Sequence, residues 1–230
     1  MVDELIERAR TRAAGRVAAL RLRHPGEDEV ALGRRLVRSA AGRAGWTGAA
    51  TATLSLFALP VGLPAGVAAS MLHEAELIFA LLELHGLPTA GEAGRARLFA
   101  LWAGAGFADA AKSVGLRAGA RAMGRVLRGS LPGQIIRRLN PVLLRAILKR
   151  LGLGWLPRAM KLWPILGAPL GYAIDRAALQ TLGAATLATL HDAARAKRKS
   201  ARVSRTGSAR SAPAAGRSRV RSRVARTQPA

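Results

Sequence analysis

The N-terminal part of the chain shows apolar residues at helical spacing. Between Val2 and Arg23 they recur every three or four positions, with charged residues between them, at Leu5, Ile6, Ala9, Ala13, Val17 and Leu20. His24-Pro25-Gly26 interrupts this pattern. The acidic residues 27–29 then suit the first turn of a new helix, because a helix N-terminus carries partial positive charge. We predict a first helix over Val2–Arg23 and a second helix that ends near Leu59.

The stretch from Ala44 to Leu72 contains no formally charged residue. Residues that disfavour a continuous helix interrupt it, namely Pro60, Gly62, Pro64 and Gly66. The pattern predicts two apolar helices joined by a Pro/Gly corner. We expect the second of these helices to stop at His85-Gly86, and a shorter helix to run from Glu92 to about Gly104.

Residues 112–161 contain twelve basic residues and no acidic one. Four arginines in this span fall on one stripe of a predicted basic, amphipathic helix: Arg117, Arg121, Arg125 and Arg128. A second such segment covers Ile135 to Leu151 and is expected to be interrupted at Pro141. Three interpretations are open: a solvated face of a core helix, a surface for lipid or an acidic protein, and a nucleic-acid surface.

A second Pro/Gly unit repeats the first one. Its corner residues are Pro164, Gly167, Pro169 and Gly171, and both units lead into helices that end in Leu-His, at His85 and His191. Such units either line a site between broken helices in a membrane protein or let two helices cross closely. Just before the second unit come Trp155, Arg158, Lys161 and Trp163, a mixture that suits a membrane interface and equally suits a core.

These patterns predict an all-α, multi-helix bundle built around two Pro/Gly-broken apolar hairpins. We divide the chain into an N-terminal amphipathic helix over residues 1–25, a helical domain over 26–192 and a basic tail over 193–230. The tail is rich in Arg, Ser and Ala and is expected to be disordered, because it cannot bury enough apolar area to offset its ordering entropy.

The uncharged stretch is a weak candidate for a membrane span. A spanning helix needs about 20 apolar residues, whereas Ala44–Leu59 ends at the first proline, and His73, Glu74 and Glu76 follow in the next helix. Three interpretations are open: a two-pass membrane protein, a hairpin that dips into or lies on the membrane, and a wholly soluble bundle.

No recognised catalytic motif or metal site is present in the sequence. The chain has no Cys, and His73-Glu74-Ala75-Glu76-Leu77 lacks the second histidine of the zinc-binding H-E-x-x-H motif. A site in which His73 works with Glu74, Glu76 or Glu83 is one hypothesis. For Glu76 and Glu83, which share a helical face with His73, a partially buried polar seam that pairs with arginine is preferred over a carboxylate site. We predict a non-enzymatic protein with no cofactor, no metal and no small-molecule substrate.

The net charge of +24 is concentrated at the C-terminus, since residues 193–230 hold twelve Lys or Arg and no acid. This charge favours polyanionic partners: anionic lipid, acidic proteins or nucleic acid. At the other end, Asp3, Glu4 and Glu7 stand where a secretory signal needs basic and then apolar residues, so we predict a protein that is not secreted.

Several of these segments together resemble the EcsC family of bacterial helical proteins. They are P-G-E-D-E-V-A-L-G-R-R-L-V-R-S-A-A-G-R, P-V-G-L-P-A-G, L-H-G and W-P-I-L-G-A-P-L-G-Y-A-I-D, within a likeness that covers about Ala31 to Leu190. The chain has Asp175 where the family tends to have Asn. A similar pattern occurs in helical hydrophobic domains that accompany some bacterial GTPase-like proteins.

The resemblance implies a helical accessory protein, since the family is named for one encoded beside an ABC transporter and has no established catalytic residues. We therefore expect a peripheral membrane protein at the cytoplasmic face of the membrane, where the hairpin and basic helices contact lipid or a transporter-like membrane protein. The four-arginine stripe is the expected contact surface. The alternative is a soluble helical module whose tail binds nucleic acid without sequence preference.

Overall fold

The computed structural model describes residues 2–57, 59–104, 107, 111–112, 115, 120–151 and 167–210, and within these ranges the chain is helical with no β-strand. The all-α prediction is confirmed. The seven helices of the described part are α1 (Val2–Arg23), α2 (Glu29–Phe57), α3 (Leu59–Leu84), α4 (Gly91–Ala103), α5 (Ala120–Arg128), α6 (Gly133–Leu151) and α7 (Gly167–Arg210). The chain divides into two compact units, Met1–Ala193 and Ala194–Ala230.

The first helix has the predicted bounds and the predicted buried face. Ile6, Ala9, Ala13 and Val17 are buried, and the charged positions between them are mostly exposed. α2 then starts behind Asp28, whose Oδ1 accepts a hydrogen bond of 2.7 Å from the Ala31 backbone N–H. This side chain satisfies one of the unpaired N–H groups at the helix N-terminus.

The central helix of the first unit is α3, which packs against α1, α2 and α4. Its C-terminal half is buried on every side, including Ile78, Phe79, Leu81 and Leu82. The helix ends as predicted: Gly86 adopts φ +64°, and the Leu87 N–H donates to the Leu82 carbonyl at 2.9 Å. This is the glycine-terminated hydrogen-bond pattern that commonly closes helices.

The first Pro/Gly corner differs from the prediction. α2 ends at Phe57 and α3 begins at Leu59, so Pro60, Gly62, Pro64 and Gly66 lie in the first turns of α3 instead of in a separate corner. Pro60 is tolerated because the first turn of a helix has no intrahelical acceptor for the backbone N–H groups. The two helices still form an antiparallel hairpin, since Thr51 of α2 lies beside Gly66 of α3.

Two other helices also continue through an expected interruption. α6 runs through Pro141. Because proline has no N–H, the Arg137 carbonyl four residues earlier has no helical donor. Both residues are exposed, so water can satisfy that carbonyl. α7 already includes Gly167, Pro169 and Gly171, and it continues past the expected tail boundary at residue 193 to Arg210. Ala, Arg and Lys dominate this continuation and are strong helix formers. Residues 211–230 and Pro164 lie outside the described residues.

A buried arginine holds α4 against its neighbours. Arg97 donates hydrogen bonds of 2.7 Å to the carbonyls of Leu127, near the end of α5, and of Pro88, in the loop before α4. Burial lowers the pKa of Arg97. On the same helix, Glu92 accepts a hydrogen bond of 2.7 Å from Asn140 Nδ2 of α6.

Helices α2 and α7 cross closely and run antiparallel. Gly33 contacts Leu187, Val37 contacts Gly183, and Gly48 contacts Gly171. A methyl group on Gly48 would lie 2.6 Å from the Gly171 carbonyl oxygen and 2.5 Å from Asp175 Oδ2. The two backbones approach so closely because neither glycine has a side chain, as small residues permit at helix crossings.

We predict that Gly48→Ala lowers the free energy of unfolding by about 1–3 kcal/mol, because the new methyl group forces α2 and α7 apart. Gly42→Ala is the matched control: it lies in the same helix with open space at its Cβ position, and it should be neutral or stabilise by up to about 1 kcal/mol. Urea denaturation of both variants tests this. Equal effects at the two positions would contradict the close crossing.

Candidate functional site

The hairpin and α7 bring three uncharged segments to one end of the first unit. They are Ala44–Phe57 of α2, Leu59–Leu72 of α3 and Gly167–Ile174 of α7, none of which contains a formally charged residue. The Gly48–Gly171 and Thr51–Gly66 contacts place these segments side by side. We call them together the uncharged pole.

The exposed positions of the pole are small or apolar. On α2 they include Trp46, Ala50 and Thr53, which follow each other at helical spacing along one face. Ala68 is exposed on α3, and Ile174 is exposed on α7. Towards the N-terminus of α2 the same face continues with Ser39 and Arg35, so charge returns outside the pole.

An aromatic group marks the border of the pole. The Trp46 side chain is exposed, at 72%, and its ring meets Tyr172 edge-on with 5.6 Å between centroids. Arg176 donates a hydrogen bond of 2.7 Å to the Tyr172 hydroxyl, and its guanidinium also lies over that ring, 5.7 Å from the centroid. An indole, a phenol and a guanidinium thus stand together where the uncharged surface ends.

Asp175 lies at the same border, inside the α2–α7 crossing. Burial raises the pKa of this carboxyl group, so it takes up a proton more readily than an exposed aspartate. Its Oδ2 atom lies so close to Gly48 that a Cβ atom added to this glycine would be only 2.5 Å away. The border between charged and uncharged surface on α7 therefore carries one acid with a raised pKa and one arginine.

A polar cluster lies next to the pole, between α1, α2 and α3. Glu76 is only 3% exposed, and its Oε1 is 2.5 Å from Arg16 Nε and 3.6 Å from Arg43 Nη2. Beside it His73 Nε2 is 3.0 Å from Thr47 Oγ1. The structure therefore pairs Glu76 with arginines, as the polar-seam interpretation predicted.

Burial dominates the electrostatics of this cluster. Desolvation raises the pKa of Glu76, although the positive charges of Arg16 and Arg12 and the Arg16 hydrogen bond oppose the shift. The pKa of His73 is lowered, chiefly by burial and then by the same two arginines. Both effects favour the neutral forms, which lowers the cost of placing these groups inside the bundle.

Two of the acidic residues named for a possible catalytic site have separate partners in the described part of the structure. Glu74 accepts a short hydrogen bond from Trp102 Nε1 of α4, while Glu76 faces Arg16 and Arg43. A shallow depression of about 210 Å³ lies elsewhere, between α2 and α7. Its lining contains no acidic or histidine side chain; the lining residues are Arg34, Val37, Arg38, Gln180, Ala184 and Leu187.

The structure describes only part of the predicted contact surface. Arg128 is exposed and Arg125 is half-buried, both on α5. Arg121 belongs to α5, but its side chain is outside the described residues, as are those of Pro60, Gly62 and Pro64 in α3. Also outside are Arg117, Trp155, Arg158, Lys161, Trp163 and Pro164. Of the second corner, Pro169 is exposed and Gly171 lies against Gly48.

The sequence alone identifies neither the aromatic border nor Gly48 as the partner of Gly171 in the helix crossing. Trp46 carries a usable signal, because it stands two residues inside the uncharged stretch, where membrane-interface tryptophans are common. Tyr172 is the single tyrosine of the chain and precedes the first charge of α7 by three residues. Gly48 carries no such signal, since a helical glycine does not reveal its partner.

Comparisons with protein-family models, with curated proteins and with solved structures returned no match. The EcsC resemblance therefore stays a prediction. Among the described helices, none combines the length and the apolar character that crossing a membrane requires.

We predict that Arg16→Met lowers the free energy of unfolding by about 3 kcal/mol or more, because it leaves the buried Glu76 with Arg43 alone. Arg8→Met is the matched control on the same helix. Arg8 pairs with Glu4 on the exposed surface, and such pairs contribute about 1 kcal/mol or less. Chemical denaturation at neutral pH compares the two variants, and equal losses would contradict the role given to Glu76.

The raised pKa of Glu76 predicts a pH dependence of stability. The folded state holds the Glu76 proton more tightly than the unfolded state, so this contribution is fully present below the ordinary value of 4.5. It is lost as the pH rises through the folded-state pKa. The difference in unfolding free energy between the natural chain and Glu76→Gln should therefore decrease from pH 4 upwards. Denaturation at several pH values measures it, and a difference that grows with pH would refute the prediction.

Proposed function

We propose that this chain is a non-enzymatic accessory protein that associates with the cytoplasmic face of the membrane through its uncharged pole. One observation carries the proposal: the α2–α3 hairpin and the start of α7, which is distant from it in sequence, contribute uncharged surface to the same end of the bundle. Single exposed apolar residues are ordinary in soluble proteins, but a contiguous uncharged end with an aromatic border is typical of an interaction surface.

The dimensions of the pole favour lipid as its partner. The segment Ala44–Phe57 corresponds to roughly 21 Å of helix axis at 1.5 Å per residue. This length exceeds the hydrocarbon of one leaflet, about 15 Å, and falls short of the full hydrocarbon core of about 30 Å. A hairpin of this length reaches into the near leaflet without crossing the bilayer.

The chemistry of the border agrees with this depth. Trp46 and Tyr172 have amphipathic rings of the kind that concentrate at the headgroup level, and Arg176 adds a cation that attracts anionic headgroups. Asp175 stands at the same level and loses its charge readily because its pKa is raised. In this proposal Arg125, Arg128 and the basic end of α7 add long-range attraction.

A second candidate function, nucleic-acid binding, is favoured by the helical continuation of α7. Arg195, Arg198, Lys199, Arg202 and Arg205 occupy one face of that helix by their spacing, and no acidic residue follows Asp192. Positions on the other side, such as Ala196, Ser200 and Gly207, are small. The segment therefore lacks the large apolar face of a helix that lies in a membrane surface and suits a phosphate backbone.

Flotation of the full chain with vesicles tests the primary proposal. We predict that binding to anionic vesicles partly survives high salt, because burial of the pole is not an ionic interaction. Ala50→Asp should reduce this salt-resistant binding more than tenfold, since a charge inside the bilayer costs at least about 2.5 kcal/mol. Ala18→Asp, at an exposed position of α1, is the matched control and should have no such effect.

Three further variants sharpen this experiment. Trp46→Gln should weaken salt-resistant binding, whereas Leu22→Gln should not, although Leu22 is even more exposed at 82%. Replacing Arg195, Arg198, Lys199 and Arg202 with Gln should leave salt-resistant binding intact and abolish any retention on DNA. Flotation that is lost entirely at high salt would contradict insertion of the pole, and flotation that requires an added membrane protein would indicate a protein partner.

A further inference from the structure

Two histidines meet at the end of the first unit that lies away from the uncharged pole. His85 directly follows α3, and His191 lies in α7; their ring centroids are 5.8 Å apart and their planes are tilted by 52°. Near them, the side chains of Leu187 of α7 and Leu84 of α3 both lie against Gly33 of α2. The fold thus brings the Leu84-His85 end of α3 beside Leu190-His191, which lies within α7.

Hydrogen bonding selects the tautomer of His85. Its Nδ1 lies 2.8 Å from the carbonyl oxygen of Leu81. A carbonyl oxygen only accepts, so Nδ1 carries the proton, and in the neutral ring Nε2 keeps a free lone pair. That Nε2 atom is shielded from solvent and has no hydrogen-bond partner, and the same is true of His191 Nε2.

Such an arrangement is costly unless something binds to it. A buried polar atom without a partner costs about 1–3 kcal/mol, and here two such atoms belong to neighbouring rings. Metal-binding histidines typically donate their other ring N–H to a backbone carbonyl or a carboxylate, which orients the ring. His85 already makes that bond.

The separation of the rings also suits a shared ion. Nitrogen–metal bonds to histidine are about 2.0–2.1 Å long, which places an ion about 3.2 Å from the centroid of each ring. Two rings that share one ion therefore have centroids no more than about 6.4 Å apart. The observed 5.8 Å fits a bent arrangement of nitrogen, metal and nitrogen.

We propose that His85 and His191 form a two-histidine site for a divalent transition metal, with Zn²⁺ as its representative. Imidazole nitrogens select zinc, copper and nickel over calcium or magnesium, which prefer oxygen ligands. Among the described residues no group of three or more His, Asp or Glu side chains is placed to hold an ion. Water therefore completes the coordination: the two Nε2 atoms are covered, but His85 and His191 as whole residues are only half-buried, so solvent lies close to an ion between them.

Metal at this site links the end of α3 to α7. Beside it, Arg21 of α1 donates a hydrogen bond of 3.1 Å to the Leu84 carbonyl, so this cation is already engaged with the end of α3. An ion held by both histidines stabilises the folded state by mass action, because the unfolded chain does not hold the two rings together. This site is independent of the membrane proposal.

Titration of the metal-free full chain with Zn²⁺ tests the site. Calorimetry should find one Zn²⁺ per chain, and binding should raise the unfolding temperature. His85→Gln and His191→Gln should each weaken binding at least tenfold and remove the thermal shift. His24→Gln is the matched control, because His24 lies in the loop between α1 and α2 near Glu27, and it should change neither quantity.

Copper identifies the ligands directly. Electron paramagnetic resonance of the Cu²⁺-loaded chain should show two coordinated nitrogens, and one in either single variant. Should His85→Gln fail to fold, His191→Gln decides alone, since no hydrogen bond holds its Nε2 atom. Absence of saturable Zn²⁺ binding, or binding that survives His191→Gln and disappears in His24→Gln, would overturn the proposal.

Discussion

Burial of residues 75–82 of α3 on every side is the constraint on which the rest of this structure depends. A helix that is apolar all round needs neighbours on each face, and α1, α2 and α4 supply them. The one charged residue within the fully buried part, Glu76, requires Arg16 from α1 and Arg43 from α2. The same carboxylate thus specifies which helices surround α3, because an unpaired buried charge is far more costly than a paired one.

The second constraint is the approach of α7 to α2. Gly48 and Gly171 allow the two backbones to touch, and this contact brings the uncharged start of α7 beside the uncharged end of the hairpin. The charges of Asp175 and Arg176 are thereby placed at one level with Trp46. The uncharged surface therefore has a defined border, and this property, more than apolar composition alone, supports the proposal of membrane association.

The two ends of the first unit differ in chemistry. At one end the helices present uncharged residues and an aromatic border, while at the other His85 and His191 present two nitrogen atoms without partners. The acidic residues near His73 have structural partners instead: Trp102 holds Glu74, and Arg16 holds Glu76. The polar chemistry next to the pole is therefore explained by packing, whereas the histidine pair has no such explanation.

The sequence by itself determined what local interactions control. The apolar spacing of α1, the acidic start of α2 and the Gly86 stop of α3 act within a few residues, and the structure has each of them where the pattern predicts. Tertiary structure decided the rest, because it depends on contacts between distant residues. Whether a helix tolerates a proline depends on its surroundings: Pro60 lies in the first turn of α3, and Pro141 is exposed, so that water can satisfy the carbonyl that loses its partner. Likewise, the partners of Gly48 and His85, which are Gly171 and His191, lie more than a hundred residues away, and no local pattern in one sequence encodes such a pairing.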